Sequence, residues 1–390
     1  MRITNQELSR RRFMKTALAG GMTAIASTGS WESAAAMLAV PVGRSVNGVG
    51  IDDPELVQLS INENPLGASP HAIEAVAHKM FSLNRYPPRE PVLHEAIAKY
   101  HVNDGISIDM VATGVGSTEI LKAIGMLAMI DGGNVIEPVP GYGAVSGVAS
   151  TLGREPIRIP LTEDLQTDLN TVKDAVNSET RIVIFTNPNN PTGQLIPHTD
   201  LVAFLDSVPE SVIVCVDEAY IHFVGDTSYR NMVGLTKTRK NLFVARTMSK
   251  AFGLGGMRVG YGIGHPELIS RVRPHLLGWL GRSVLGDVAS IAALGDRQHL
   301  KDVRTHVSRE KEYLYQALTE LGLKPVKTET IFVIADMGRN TEPFIQELAA
   351  RKVLIRQAFG MDNYIRISTG THTENEILIE VMKEVMSKGV

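Results

Sequence analysis

The chain has 390 residues, of which 44% are hydrophobic and 21% are charged, and this predicts a large core in two lobes or in one domain with a smaller satellite. A formal net charge of −3 argues against a nucleic-acid-binding face. The only cysteine, Cys215, lies in the apolar run SVIVCV, which excludes a disulfide within the chain and predicts a buried, inert thiol.

The first 36 residues predict an export signal. SRRRFMK supplies a basic start with paired arginines, TALAGGMTAIASTGSW follows as a modest apolar region, and ESAAAM offers a cleavage site after Ala36. Together these parts resemble a twin-arginine signal, and the alternative is a disordered basic tail. We therefore expect a periplasmic or exported protein without stable membrane association after signal removal. A cytoplasmic location is the alternative.

Helical and strand-like runs alternate from about residue 80 to 285. GVGSTEILKAIGMLAMI indicates a loop that opens a helix, and the strand-like runs are NVIEPVPGYG, REPIRIPL, RIVIFTNPNNPTG, SVIVCVDEAY, NLFVARTMSK and MRVGYGIG. This alternation is typical of a mostly parallel sheet covered by helices. It predicts a large α/β domain at 80–285.

The pattern changes near residue 290, where KDVRTHVSREKEYLYQALTELG indicates a long charged helix. Three short strand-like runs follow, IFVIADM, VLIRQ and YIRISTG, and the chain closes on a helical segment with a Thr373/Glu376 capping box. These features predict a small α+β domain at 286–390, joined by an N-terminal arm at 37–79.

Several predicted strand ends carry polar groups. The prolines and the glycine of TNPNNPTG at 186–193 predict a rigid turn that orients Asn190. In DEAY, Asp217 comes directly after a buried strand and Tyr220 follows three residues later. A carboxylate in such a place is costly unless it is paired, so we expect Asp217 to face a cation or a protonated ring nitrogen. Ligands bind outside the carboxyl ends of strands in sheets of this type.

Two further segments predict an anion site. GVGSTE at 114–119 opens a helix, whose free N–H groups and positive dipole end suit a phosphate. TMSKAFGLGGMR adds the hydroxyls of Thr247 and Ser249, the guanidinium of Arg258, and Lys250 between them. Glycine runs of this kind also occur in ordinary loops. This one lacks the strand–GxGxxG–helix context of a dinucleotide-binding oxidoreductase.

A phosphate cup, a carboxylate, a phenol, an amide and a lysine are the groups that pyridoxal 5′-phosphate requires. The chain resembles the fold-type I, class I/II aminotransferases, and among them the histidinol-phosphate aminotransferase-like subgroup, over residues 55–385. The motifs that carry the resemblance are INENPLG, NRYP, GVGSTE, PGYG, TNPNNPTG, DEAY, TMSKAFGLGGMR and YIRISTG. It implies a large domain with a mostly parallel sheet and a smaller α+β domain.

The resemblance also implies a role for each matching residue. Lys250 would be the covalent anchor of the cofactor and the proton shuttle, and Asp217 would keep the pyridine nitrogen protonated. Asn190 and Tyr220 would hydrogen-bond the 3′ oxygen of the ring. Tyr142 would stack on the ring face, or alternatively cover a turn.

The remaining implied residues bind the phosphate or the substrate, and no metal is implied. The phosphate ligands would be Gly116, Ser117, Thr118, Thr247, Ser249 and Arg258. Tyr86 of NRYP would reach the phosphate of the other subunit, which implies an obligate homodimer with shared sites. Substrate contacts would come from Arg366, Arg356 and Asn64, although a solvated strand-end arginine is an alternative for Arg356.

The expected activity is transfer of an amino group between an amino acid, or an amino-phosphate compound such as histidinol phosphate, and a 2-oxo acid. Two features differ from the histidine-biosynthesis enzymes: Leu66 stands where an aromatic residue is common, and the export signal separates the protein from an intracellular intermediate. The alternatives are a decarboxylase of the same fold, similar to threonine-phosphate decarboxylase, and a non-catalytic binding or regulatory module.

Overall fold

The computed structural model describes residues 55–226 and 228–389, so the predicted signal at 1–36 and the first part of the predicted arm lie outside the described residues. Within those ranges, no helix combines the length and apolarity needed to cross a membrane.

A seven-stranded sheet follows a two-residue strand, β1 (Val57–Gln58). Its strands are β2 (Val111–Val115), β3 (Asn134–Val139), β4 (Ile157–Pro160), β5 (Thr180–Thr186), β6 (Ile213–Asp217), β7 (Leu242–Thr247) and β8 (Val259–Gly264). The order is β2-β8-β7-β6-β5-β3-β4, and among these seven strands β8 alone runs in the opposite direction to the others. The predicted α/β fold with a mostly parallel sheet is confirmed. The strand β2 was not predicted, because its run VATGV is short and contains a glycine.

Helices cover both faces of this sheet and extend into the C-terminal part of the chain. They are α1 (Pro70–Lys79), α2 (Val92–Tyr100), α3 (Gly116–Met129), α4 (Ala144–Thr151), α5 (Leu169–Asp174), α6 (His198–Ser207), α7 (Pro266–Val272), α8 (Gly278–Gly281), α9 (Val284–Gly295), α10 (Arg297–Glu320), α11 (Glu342–Ala349) and α12 (His372–Ser387). Capping side chains and prolines determine where several of these helices begin. The Ser69 side chain, for example, accepts from the N–H of Ala72, and Pro70 opens α1.

Both faces of the central strands are buried. Along β6 and β7, Val214 and Val244 pack into one apolar cluster, whereas Cys215 and Phe243 pack into another on the opposite face. Strands of this kind are apolar at every position, which explains why the sequence shows continuous rather than alternating hydrophobic runs. Burial also raises the pKa of the Cys215 thiol well above its ordinary value, as expected of an inert thiol.

A second, four-stranded antiparallel sheet lies in the C-terminal part of the chain. Its strands are β9 (Lys324–Val326), β10 (Phe332–Asp336), β12 (Arg356–Ala358) and β13 (Met361–Ser368), in the order β12-β13-β10-β9. The two-residue strand β11 (Val353–Leu354) pairs in parallel with β1, and the N–H of Ser368 donates to the carbonyl of Leu59. The segment after β1 is thereby held against this second sheet. The domain boundaries at 80 and 286 stay a prediction.

The predicted capping box at Thr373/Glu376 is wrong by two residues. Thr371, with φ −61° and ψ 162°, is the extended N-cap residue of α12, and its side chain accepts from the N–H of Glu374. The Glu374 carboxylate accepts from the N–H of Thr371 at 2.7 Å. The sequence THTENE offers the same spacing twice, and the backbone leaves β13 early enough for the first to be used.

Candidate active site

A cavity of about 410 Å³ lies beyond the carboxyl ends of β5, β6 and β7, between the two sheets. Thr186, Asp217 and Thr247 reach it from the last positions of these three strands. The predicted site residues that line it are Ser117, Thr118, Tyr142, Asn190, Asp217, Tyr220, Thr247, Ser249, Lys250, Arg258, Arg356 and Arg366. The structure therefore brings together residues from segments that span about 250 positions of the chain.

Lys250 follows β7 and its Nζ donates to the carbonyls of Ile61 and Asn62 at 3.1 and 3.0 Å. Burial, together with the positive charges of Arg366 and Arg258, lowers the pKa of this amine to about 8. A lysine with a depressed pKa has a substantial neutral fraction near neutral pH, and the neutral form is the nucleophile. Lys250 is therefore suited to bond to an aldehyde.

Asp217 is the last residue of β6 and is 3% exposed. Burial, together with the neighbouring charge of Glu218, raises the pKa of its carboxyl to about 7. One carboxylate oxygen accepts from the N–H of Ala219 at 3.1 Å. A carboxylate that is buried in this way gains much from a cationic partner placed in the cavity.

Arg366 on β13 joins the second sheet to the loop after β5. Its Nη1 donates to the Oδ1 of Asn190 at 2.7 Å, and its Nη2 donates to the carbonyl of Ser60 at 2.9 Å. The Nε is buried and has no hydrogen-bond partner among the described residues. Burial lowers the pKa of this guanidinium to about 10. A buried, unsatisfied donor of this kind is costly and would gain from an acceptor such as an anion.

The N-terminus of α3 lies beside Arg258, where the sequence predicts an anion site. Gly116 has φ +75°, and a Cβ on this residue would lie 2.5 Å from the Nη2 of Arg258. Only glycine therefore lets the guanidinium lie across the start of the helix. The Arg258 Nη1 donates to the carbonyl of Gly255 at 2.9 Å, and the Thr118 and Tyr142 hydroxyls are 3.1 Å apart.

Three predicted residues do not line the cavity: Gly116, which starts α3 beside Arg258, and Tyr86 and Asn64. Tyr86 is 75% exposed and its ring contacts that of Trp279 edge-on at 6.3 Å. The Asn64 side chain binds the protein's own backbone, since its Nδ2 donates to the carbonyl of Ala251 and its Oδ1 accepts from the N–H of Leu66. These contacts do not support a substrate-binding role for Asn64.

The neighbouring Asn62 was missed and does line the cavity. Its Nδ2 donates to the Tyr220 hydroxyl at 2.8 Å, and its N–H donates to the Oγ of Ser368 at 2.8 Å. Asn62 has φ 58°, a left-handed conformation that asparagine tolerates better than most residues. The asparagine at the second position of INENPLG was the available signal. The structure also adds Ile61, Glu63, Thr186, Ala219, Gly255 and Phe359 to the lining.

Residues 54–382 match the family model for aminotransferase class I and II. The chain belongs to this family. Relatives include the histidinol-phosphate aminotransferases of Moorella thermoacetica, 34% identical over 89% of both chains, and of Akkermansia muciniphila, 34% identical over 89% of this chain and 94% of that one. A structure of histidinol-phosphate aminotransferase from Sinorhizobium meliloti in complex with pyridoxal-5′-phosphate superposes with a TM-score of 0.79 at 27% identity, covering 85% of this chain and 91% of that one.

The protein is thus a pyridoxal-phosphate-dependent aminotransferase, and the cavity fits this cofactor. Lys250 offers an amine with a lowered pKa, and Asp217 offers a buried carboxyl to a cationic ring nitrogen. The glycine cradle beside Arg258 leaves room for an anion at a helix N-terminus. These features are the chemistry that the aldehyde, ring nitrogen and phosphate of the cofactor require.

Proposed function

We propose that Arg366 and Arg356 select amino donors that carry an anionic group close to the amine. The supporting observation is the Arg366 guanidinium, which reaches the cavity beside Asn190 with its Nε unsatisfied. Arg356 pairs with Arg366 in the register of β12 and β13 and also lines the cavity. Two adjacent guanidinium groups favour a carboxylate or a phosphate. The donor is accordingly an amino acid or an amino-phosphate compound such as histidinol phosphate, and the acceptor is a 2-oxo acid.

In this proposal each side chain has one task. Bound pyridoxal phosphate supplies a ring that stabilises negative charge at the donor Cα. The Lys250 Nζ would hold the cofactor until the donor amine replaces it, and the freed amine would then take up the proton from the donor Cα. Asp217 would hold the proton on the ring nitrogen, and Asn190 and Tyr220 would donate hydrogen bonds to the ring oxygen. Ser117, Ser249 and Arg258 bind the phosphate.

A half-reaction experiment tests this function. Purified enzyme loaded with the cofactor is mixed with single donors, namely histidinol phosphate, a panel of amino acids, and amines that lack an anionic group. We expect the cofactor absorbance to change to that of pyridoxamine phosphate with anionic donors only. Release of carbon dioxide without pyridoxamine phosphate would instead identify a decarboxylase. Equal reactivity of the uncharged amines would contradict the selection by arginine.

We also propose a homodimer in which Tyr86 completes the site of the partner. The supporting observation is a set of exposed apolar side chains near Tyr86, which a monomer seldom leaves in contact with water. Their exposed fractions are 45% for Met80, 54% for Leu83, 68% for Leu277 and 57% for Leu280. Gel filtration with light scattering tests the oligomeric state, and a monomer at micromolar concentration would contradict the proposal.

The export signal is likewise a proposal, supported by the order of its basic, apolar and small-residue parts in residues 1–36. The twin-arginine route carries folded proteins, so the enzyme would bind its cofactor in the cytoplasm and be exported in the loaded state. We expect wild-type protein outside the cytoplasm, starting near Met37, whereas the R10K/R11K variant stays inside as an active, uncleaved enzyme. Wild-type protein that fractionates with the cytoplasm, with residues 1–36 intact, would contradict this.

A further inference from the structure

A buried ion pair connects the two strand ends that carry the proposed catalytic groups. Glu218 accepts through one carboxylate oxygen, Oε2, from the Nε and Nη2 of Arg246 at 2.9 and 2.6 Å. The side chains are 0% and 4% exposed, respectively. Neither residue lines the cavity, so the pair has no direct contact with substrate or cofactor to explain it.

Both members of the ion pair lie next to the ends of β6 and β7. Glu218 directly follows Asp217, and Arg246 precedes Lys250 by four residues. The N–H of Glu218 donates to the carbonyl of Ala245 at 2.9 Å, which is the last backbone bond between the two strand ends. The second carboxylate oxygen of Glu218 accepts from the N–H of Met232 at 2.9 Å. The ion pair therefore continues the connection of β6 to β7 after the backbone ladder ends.

We infer that Glu218 and Arg246 are positioning residues for transamination: their ion pair fixes the spacing between Asp217 and Lys250. Asp217 ends β6 and Lys250 follows β7, so one cofactor can contact both only if these ends keep their relative position. Hydrogen bonds to a planar guanidinium are directional and hold such a spacing more rigidly than apolar contacts do. The inference rests on the assignment of the cavity as the cofactor site.

Stability alone does not account for an ion pair at this place. Burying two charges costs several kcal/mol of desolvation, and well-packed apolar residues of similar size are often as stabilising. An apolar pair would therefore serve the core equally well. It would not define the position of one strand end against the other through oriented hydrogen bonds.

The test uses the variants E218Q and R246K, which keep most of the side-chain volume and lose part of the pair. We measure the affinity of the apoenzyme for pyridoxal phosphate by absorbance titration, together with kcat and KM for the amino donor. We expect cofactor binding weaker by about tenfold and kcat lower by about 100-fold, as is typical of small displacements of catalytic groups. KM should change little, because Arg366 and Arg356 lie on the other sheet. Wild-type cofactor affinity and kcat in both variants would overturn the inference.

Glu310 on α10 supplies a matched control. Its carboxylate is also 0% exposed and accepts from the Nε of Arg309 at 3.0 Å, with the Nη2 of that arginine 2.9 Å away in the same ion pair, although the Arg309 side chain is 67% exposed. It does not line the cavity. The E310Q variant should lower the melting temperature without weakening cofactor binding or kcat. An equal loss of cofactor affinity in E310Q would overturn the inference, since any lost ion pair would then have this effect.

The double variant E218M/R246M separates positioning from stability. We expect its melting temperature to recover relative to the single variants, because no unpaired charge remains buried, while kcat and cofactor affinity stay low. Recovery of all three would overturn the inference. Borohydride reduction of the wild-type enzyme tests the cofactor site separately. If Lys250 is labelled but E218Q behaves as wild type, only the positioning role fails.

Discussion

Arg366 and Asn190 form a hydrogen bond of 2.7 Å between the second sheet and the loop after β5, with the guanidinium as donor and the amide oxygen as acceptor. This bond fixes the orientation of the Asn190 amide, since its oxygen is occupied and its Nδ2 remains to donate. The residue proposed to bind the substrate anion thus orients a residue proposed to bind the cofactor ring. A change at Arg366 should affect both.

The variant R366K tests this link. Lysine keeps the charge but loses the forked geometry that can bind an anion and Asn190 together. We expect kcat/KM for the anionic donor to fall by roughly 100-fold, equivalent to about 2.7 kcal/mol of lost transition-state binding. The cofactor spectrum should shift as well, because the amide of Asn190 is no longer fixed. A variant with altered KM and an unchanged spectrum would separate the two roles.

Lys250 should carry the cofactor. Borohydride should fix pyridoxal phosphate permanently on Lys250 in the wild type, and K250A should lose activity by several orders of magnitude because both the nucleophile and the proton carrier are gone. Peptide mapping by mass spectrometry identifies the labelled residue. Full activity in K250A would refute the assignment.

The reactivity of Lys250 should depend on pH in a defined direction. Only the neutral amine reacts, so modification of Lys250 in the apoenzyme by an amine-directed reagent should accelerate as the pH rises through about 8. In R366Q the midpoint should move upward, because the nearby positive charge that lowers the pKa of Lys250 is lost. A midpoint that stays at the wild-type value would show that Arg366 does not act on Lys250.

Asp217 should cost the apoprotein stability at neutral pH. Burial raises the pKa of its carboxyl from 3.8 to about 7 in the folded chain. The neutral, protonated carboxyl is the form that the folded chain favours. The stability that this form contributes is therefore fully present below pH 3.8 and is lost as the pH rises through about 7. Relative to wild type, apo D217N should become more stable over this range, although it should transaminate far more slowly. Urea unfolding of both apoproteins across the range measures the difference.

Gly116 should be essential for the anion site. In G116A the new Cβ would lie 2.5 Å from the Arg258 Nη2, and the backbone φ of +75° disfavours any side chain. We expect at least tenfold weaker binding of pyridoxal phosphate, an effect of about 1.4 kcal/mol. G147A is the control, because Gly147 lies within α4 and its added Cβ would meet nothing within 4 Å beyond the local helix backbone. It should bind the cofactor as wild type does.

Tyr86 should act across the proposed dimer interface. Mixing Y86A with K250A gives heterodimers in which one site has both an intact Lys250 and the Tyr86 of the other subunit. We expect activity to reappear on mixing, once differently tagged subunits show that exchange has occurred. No recovery after confirmed exchange would place Tyr86 outside the partner's site.

The sequence predicted those site residues that follow strands, because a buried apolar run that ends in polar residues marks both the strand and its carboxyl end. Asp217, Asn190 and Lys250 are of this kind. Asn62 was not predictable in the same way. It meets Lys250 across 188 positions of sequence, through a pairing of the two-residue strands β1 and β11 that leaves almost no periodic signal. The capping box of α12 failed for a local reason, since two equivalent spacings overlap in THTENE.

The reversed direction of β8 explains how one short loop can carry two of the groups proposed to bind the cofactor. A strand that runs against its neighbours starts at the edge where they finish, so Arg258, just before β8, returns to the same edge as Lys250, just after β7. The proposed covalent anchor and the proposed phosphate ligand thus stand at the two ends of a single hairpin connection, which is closed by a hydrogen bond from the N–H of Met248 to the carbonyl of Val259. The spacing between Lys250 and Arg258 therefore constrains the length of the glycine-rich loop that joins them, as well as its composition. One residue inserted between Phe252 and Met257 would separate the two functional groups without changing either of them.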